Sequence, residues 1–198
     1  MGIGQNVQKF DLQLYLRSRF IDKGYKVSQI GTKKISGLFG LHPLPDFLFN
    51  TQYSDVDKVY AFNRVMKDVS MQEKPDVILL GIPDSLLPLN NKHRFSFGLY
   101  AYEIFNAVQP DFVITSLMAN DGYNDEFYSE ISKMAKYKYN VNIDAYFVSQ
   151  FCPLSNSIWS EKLSYVYLPQ MELPKTEYKV YTTSDLNNDI LFKQAEKK

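Results

Sequence analysis

The chain has 198 residues, of which 45% are hydrophobic, enough for a compact domain with a sizeable core. Basic and acidic side chains number 22 each, so the net charge is zero, which argues against a nucleic-acid-binding protein. One cysteine, Cys152, excludes an internal disulfide framework, and no apolar run approaches the roughly 18 residues of a membrane span. Residues 1–11 lack signal-peptide character, so we expect a cytoplasmic location.

The first predicted helix covers residues 8–23 and directly follows a glycine-rich stretch. Apolar residues on more than one of its faces indicate packing between a sheet and a second layer. Gly24 supplies a left-handed stop, and residues 25–30 are predicted to form a strand. Residues 31–54 contain three glycines and two prolines and predict a long loop, which in a compact domain is usually functional or mobile.

Helices and strands then alternate. Helices are predicted at residues 55–71, 96–108 and 126–137, and strands at residues 77–82, 112–117, 143–149 and 165–168. The run VILLGI at residues 77–82 is wholly apolar, as expected for a parallel strand buried on both faces. The alternation predicts an α/β fold: a mostly parallel, doubly wound sheet with helices on both faces, in a Rossmann-like three-layer arrangement.

We expect a single α/β domain over residues 1–168 that lacks its first strand, and a C-terminal extension or tail over residues 169–198. No strand precedes the glycine-rich stretch. Either the chain is a fragment or another chain completes the sheet, and an open strand position beside VILLGI would be a pairing site.

The glycine-rich stretch is the best candidate for a binding site, because backbone N–H groups of such a turn can surround a phosphate at a helix N-terminus. A P-loop requires Gly-x4-Gly-Lys-Ser/Thr. With Lys9 as its lysine, glutamine replaces the second glycine and Phe10 replaces the hydroxyl residue. The alternative motif Gly-x-Gly-x-x-Gly lacks its third glycine, and a plain glycine-rich helix start remains the simpler interpretation. The predicted anion cradle consists of Gly2, Gly4, Gln5, Asn6, Val7, Gln8 and Lys9.

Asp84 follows VILLGI and is the candidate catalytic residue. A carboxylate at this position can hold magnesium or a water molecule beside bound phosphate, although a Pro-Asp surface turn is the commoner use. His42, His93 and Cys152 also follow predicted strand ends; solvated histidines and a buried inert thiol are the simpler interpretation. No resident metal site is predicted.

Two loop segments are apolar for loops, GLFGLHPLPDFLF at residues 37–49 and SQFCPLSNSIW at residues 149–159. Such surface suits a peptide or protein partner if it is exposed. Folding of the same residues back onto the core is the alternative.

Five segments together resemble a bacterial peptide-maturation family, encoded beside small ribosomally made cysteine-rich peptides and radical-SAM enzymes. They are KFDLQLYLRSRF, GYKVSQIGT, GLFGLHPLPDFLF, KPDVILLGIP and FGLYAYEIFNAVQPDFVI, within residues 2–117. The family is similar to SIMIBI-type P-loop NTPases in its C-terminal half and has a further domain upstream. In such relatives a Gly-Lys pair opens the helix; Gln8 departs from it and Lys9 remains, which implies binding more than hydrolysis.

The leading functional prediction is an accessory protein in the maturation of a ribosomally synthesised peptide, built on a degenerate P-loop scaffold with weak or no nucleotide hydrolysis. One alternative is a non-catalytic scaffold for the precursor peptide or a modifying enzyme; another is an active NTPase with a non-standard loop. The cofactor would be ATP or GTP with magnesium, or none. The partners would be that peptide or enzyme, with a possible homodimer and neither nucleic acid nor membrane.

Overall fold

The structure is a computed structural model that describes residues 1–169 and 171–198, without the side chain of Lys34. Gln170, in the expected C-terminal extension, lies outside the described residues. Internal contacts divide the chain into two compact units. Unit 1 comprises Met1–Gln8, Asp84–Leu99 and Pro110–Lys198; unit 2 comprises Lys9–Pro83 and Tyr100–Gln109. The expected domain boundary after residue 168 stays a prediction.

Unit 2 is built on a parallel three-stranded sheet. Its elements in chain order are α1 (Lys9–Asp22), β1 (Val27–Gly31), β2 (His42–Pro43), α2 (Asp55–Glu73), β3 (Val77–Leu80) and, apart from its first residue, α3 (Leu99–Ala107). The strand order is β2-β1-β3, and β1 runs parallel to both neighbours. The helices and strands predicted for this part of the chain are confirmed to within a few residues at their ends.

Helices α1 and α2 lie on opposite faces of this sheet. The Ser28 hydroxyl donates to Glu73 at the end of α2, whereas a side chain at Gly31 would contact Phe10 of α1. Because successive strand residues point to opposite faces, residues 28 and 31 of β1 face different helices. Helix, parallel sheet and helix therefore form three layers in this unit.

The apolar stripe of α2 is narrower than its sequence predicts. Phe62, Met66 and Val69 are buried, but Val56 and Tyr60, which the 3–4 spacing also places in the stripe, are 62% and 72% exposed. The apolar residues extend round more of the helix than its neighbours cover.

The run VILLGI is also less buried than predicted. All four residues of β3 are half-buried, and within the described residues β3 pairs with β1 alone. The open strand position that the sequence predicts beside VILLGI stays a prediction.

The loop at residues 31–54 contains more regular structure than a short turn at residues 35–38, which is all that its sequence suggests. Two 3₁₀ helices, Lys34–Phe39 and Asp46–Phe49, flank β2. The apolar segment inside this loop divides: Leu41, Leu44 and Leu48 enter the core, while Leu38 and Phe39 are 83% and 57% exposed.

Unit 1 contains a second parallel sheet and a hairpin. Its elements in chain order are β4 (Ile114–Leu117), α4 (Asp125–Tyr139), β5 (Ala145–Val148), β6 (Phe151–Pro153), β7 (Tyr165–Tyr167), β8 (Val180–Tyr181), α5 (Thr183–Asn187) and α6 (Ile190–Ala195). The sheet order is β4-β5-β8, and β6 and β7 form an antiparallel pair. The predicted α/β class, with parallel sheets flanked by helices, is confirmed.

Residues 1–3 extend this sheet beyond β4. The Ile3 N–H donates to the Ser116 carbonyl at 3.0 Å, and the Ser116 N–H donates to the Met1 carbonyl at 2.8 Å, so the segment runs parallel to β4. On the other side of the segment, the Gly2 carbonyl accepts from the Leu86 N–H at 2.9 Å. The glycine-rich stretch therefore follows a short strand-like segment, where the sequence analysis saw no strand.

The residues expected to form an extension belong to unit 1. β8 pairs with β5, and Leu191 and Phe192 of α6 are 0% and 2% exposed. Among the described helices, none is both long enough and apolar enough to cross a membrane.

Candidate anion site

The candidate site is the turn between the strand-like segment and α1, residues 3–8. Every residue in it is a bend, and Val7 is fully buried and anchors the turn in unit 1. The Ser85 hydroxyl donates to the Ile3 carbonyl at 2.7 Å and fixes the start of the turn. The turn is therefore held at both ends, while Gln5 and Asn6 between them are exposed.

Within the described residues, the backbone N–H groups of residues 4–8 donate to no protein acceptor, although Gly4 and Val7 are buried. Asn6 and Gln8 both have φ of 52°, in the left-handed region, with Val7 between them. Left-handed residues interspersed in this way turn successive N–H groups towards one side, which is the geometry of an anion-binding nest.

Gly4 lies close to the Met118 side chain. A Cβ atom there would lie 2.7 Å from the Met118 Cε atom, so a larger residue would have to displace that side chain. The glycine lets the turn pack directly against the residue that follows β4.

Two side-chain contacts hold the turn against neighbouring loops of unit 1. The Gln5 amide donates to Asp84 Oδ1 at 3.0 Å, and the Gln8 side-chain oxygen accepts from the Gln150 N–H at 2.7 Å. Asp84 Oδ2 also accepts from the Ser96 N–H at 2.8 Å. The Asp84 carboxylate thus joins the turn to the loop at residues 84–98 and brings a negative charge close to it.

That loop carries further left-handed residues. Asp84, Phe95 and Phe97 have φ of 56°, 50° and 39°. Non-glycine residues in this region cost on the order of 1 kcal/mol or more, and such strain clusters at binding sites and switches. Five of the eight left-handed non-glycine residues of the described chain lie in the turn and this loop.

The predicted cradle residues have different roles in the structure. Gly2 lies in the strand-like segment, before the open amides. Gly4, Gln5, Asn6, Val7 and Gln8 form the turn itself. Lys9 is the first residue of α1. Phe10, in the position where a P-loop has its magnesium-binding hydroxyl, is buried and packs on Phe39, with ring centroids 6.2 Å apart.

Sequence reasoning missed Gln150, Ser96 and Ser85. Gln150 follows the end of β5, and the rule that α/β sites gather at the carboxyl ends of strands could have found it. Ser85 and Ser96 could not be recognised from the sequence. The Ser85 hydroxyl donates to a loop carbonyl, and Ser96 contributes its backbone N–H.

The other candidate residues have their own partners. His42 Nε2 lies 2.5 Å from Glu73 Oε1 in unit 2, and His93 Nε2 lies 2.9 Å from the Ser160 carbonyl in unit 1. Cys152 Sγ lies 3.5 Å from the Pro153 carbonyl. In the described part of the chain, no three histidine, cysteine, aspartate or glutamate residues gather as a metal site.

Comparisons with known proteins show the fold alone. No family model and no curated protein matches the chain. Among solved structures, a DUF1611 family protein from Anabaena variabilis is similar, with a TM-score of 0.52 and 13% identity over 75% of this chain and 44% of that chain. Chloroplast FtsY from Physcomitrella patens matches with a TM-score of 0.41 and 14% identity over 75% of this chain and 47% of that one. The chain spans less than half the length of each.

Proposed function

We propose that the chain binds phosphate groups of a nucleotide at residues 4–9, as an accessory protein with weak or no hydrolysis. The observation that carries this proposal is the run of five amide N–H groups without a protein acceptor, in a turn with left-handed residues at positions 6 and 8. ATP or GTP is the proposed ligand. When magnesium accompanies it, Asp84 would supply the carboxylate ligand.

The residues present fit phosphate better than they fit a complete magnesium site. Phe10 has no hydroxyl group, and both carboxylate oxygens of Asp84 accept hydrogen bonds, from Gln5 and from Ser96. This donor set supports binding and disfavours fast hydrolysis.

The test is nucleotide titration by calorimetry, with and without magnesium, on two matched pairs of variants. Asn6→Val disfavours the left-handed conformation, whereas Asn6→Gly permits it, so the first is expected to lose binding and the second to keep it. Lys9→Ala is expected to abolish binding, with Lys23→Ala, just beyond the other end of α1, as the control. Equal affinity in Asn6→Val and Asn6→Gly would refute the nest.

Asp84 distinguishes binding from hydrolysis. Asp84→Asn removes a negative charge near the turn, and we expect tighter binding of the magnesium-free nucleotide and weaker dependence on magnesium. Measurable phosphate release by the parent chain that stops in Asp84→Asn, with binding retained, would instead favour an active NTPase.

The proposed setting is the maturation of a ribosomally made peptide in the cytoplasm, and this part depends on the resemblance of the five sequence segments. A specific observation favours the scaffold alternative: Ile35, Leu38 and Phe39 of the first 3₁₀ helix are 50%, 83% and 57% exposed. Apolar side chains grouped in this way suit a peptide or enzyme partner.

A binding assay with the cysteine-rich precursor peptide encoded beside the gene tests the scaffold. Leu38→Ser with Phe39→Ser is expected to lose the peptide. Met71→Ser, at a 65% exposed position on α2, is the control. Retention of the peptide by the double variant would exclude this surface as the peptide-binding site. Sedimentation of the same samples measures whether the proposed homodimer forms.

A further inference from the structure

An open surface depression of about 250 Å³, called the cavity below, lies on unit 1, and none of the residues of the candidate anion site lines it. One wall is a face of α4, because Ser129, Ser132, Lys133 and Lys136 follow the spacing of neighbours on a helix surface. Tyr137 of the same helix, Asn142, Ile143 and Tyr178 complete the lining.

The Tyr178 wall is held in place by the C-terminal segment. The Thr176 hydroxyl donates to Asp125 at the start of α4, and β8 begins two residues after Tyr178. The Tyr178 ring packs on Tyr128 and Tyr146, with ring centroids 5.3 and 6.1 Å apart. These contacts fix the position of the Tyr178 ring.

The hydrogen-bond directions inside the cavity can be assigned. The Tyr146 hydroxyl donates to the Tyr128 carbonyl at 2.9 Å, and burial raises the pKa of Tyr146 to about 12, so the phenol keeps its proton at neutral pH. Its oxygen lies 2.7 Å from Ser132 Oγ. The arrangement that forms both hydrogen bonds has the Ser132 hydroxyl donating to Tyr146, which leaves lone pairs on the serine oxygen.

The charge of the lining is positive. Lys133 Nζ lies 2.9 Å from Glu130 Oε1, which is not a lining residue, and the ammonium keeps further N–H donors for a ligand. Lys136 adds a second ammonium, and none of the described lining residues is acidic. The Ser129 hydroxyl and the Asn142 amide add neutral donors. A ligand here needs several acceptor oxygens and one donor.

We propose that this cavity binds a small organic phosphate that also carries a hydroxyl group. Lys133, Lys136 and Asn142 would donate to the phosphate oxygens, which are strong acceptors. The ligand hydroxyl would donate to Ser132 Oγ, and its carbon atoms would contact the Tyr178 ring.

The probe is glycerol 3-phosphate, titrated into the full chain and followed by amide chemical shifts. We expect saturable shifts at residues 129–143 and at Tyr178. Lys136→Ala should weaken binding about tenfold, as for loss of one charge-assisted hydrogen bond. Lys67→Ala, an exposed lysine in the middle of α2, is the matched control and should leave the affinity unchanged.

Methyl phosphate, which lacks the free hydroxyl, tests the Ser132 contact. Ser132→Ala should remove most of the preference for glycerol 3-phosphate over methyl phosphate. Shifts confined to residues 2–8, or equal affinity in Lys136→Ala and the parent chain, would overturn the proposal. Because the readout is specific to each site, the nucleotide proposal for the turn can fail or succeed independently.

Discussion

A buried ion pair between α2 and α3 makes a quantitative prediction for Lys58→Met. Lys58 Nζ lies 3.1 Å from Glu103 Oε1, and the two side chains are 8% and 0% exposed. Glu103 Oε2 has no partner among the described residues. Desolvation raises the pKa of Glu103 above 4.5, and Lys58 partly opposes that rise. Methionine preserves the length of the lysine stem, so the substitution removes mainly the charge.

The loss of stability in Lys58→Met depends on the protonation state that Glu103 adopts without its partner. Without Lys58 the carboxylate must either stay charged and unpaired or take up a proton. Protonating a carboxyl whose ordinary pKa is 4.5 costs about 3 kcal/mol at pH 7 and under 1 kcal/mol at pH 5. Asp55 lies 4.0 Å from Lys58 and its side chain is 62% exposed, so its ion pair with Lys58 changes the expected loss of stability little. We expect Lys58→Met to lose up to about 3 kcal/mol of unfolding free energy at pH 7 and under about 1 kcal/mol at pH 5.

Proton linkage determines whether the stability rises or falls with pH. Because the folded-state pKa is raised, the folded state binds more protons above pH 4.5, and stability falls as pH rises through the raised pKa. Urea unfolding of the parent, Lys58→Met and the exposed control Lys67→Met at both pH values measures the effect. A loss that is the same at pH 5 and pH 7 would refute the electrostatic reasoning and leave lost packing as the cause.

Two further predictions concern contacts that the sequence did not reveal. Leu191→Ala, at a fully buried position of α6, should cost about 2–5 kcal/mol, whereas Ile190→Ala, at a neighbour that is 40% exposed, should cost well under half as much in the same denaturant assay. Ser28→Ala removes the hydrogen bond that contributes most to lowering the pKa of Glu73, so its destabilisation should be full at neutral pH and shrink as pH falls through the lowered pKa. A destabilisation by Ser28→Ala that persisted unchanged at pH 3 would contradict that assignment.

The sequence predicted the long regular elements because their signals are local. α2 was expected over residues 55–71 and is Asp55–Glu73, since Ser54 caps it and Lys74 takes the left-handed stop. β2 and β8 are two residues each, too short for any period, and exist because a longer strand pairs with them. Such contacts depend on distant residues and leave no local pattern.

The position of the candidate site could be predicted from the sequence, but its backbone conformation and side-chain contacts could not. Glycine spacing pointed to residues 2–9, and the position after VILLGI pointed to Asp84. The left-handed conformations of Asn6 and Gln8 were not foreseeable, since neither residue requires them. The hydrogen bonds that the Asp84 carboxylate accepts from Gln5 and Ser96 could not be foreseen either.

The position of β8 sets the order in which the chain can fold during synthesis. Unit 2 has all three of its strands once residue 80 has left the ribosome, and its last segment ends at residue 109. The sheet of unit 1 needs residues 1–3, near one end of the sequence, and residues 180–181, near the other. At about 5–20 residues per second, the 89 residues from 110 to 198 take roughly 4–18 s to emerge. During that interval every residue of unit 2 has been made while unit 1 is still incomplete, and chaperones would meet the nascent chain in that state.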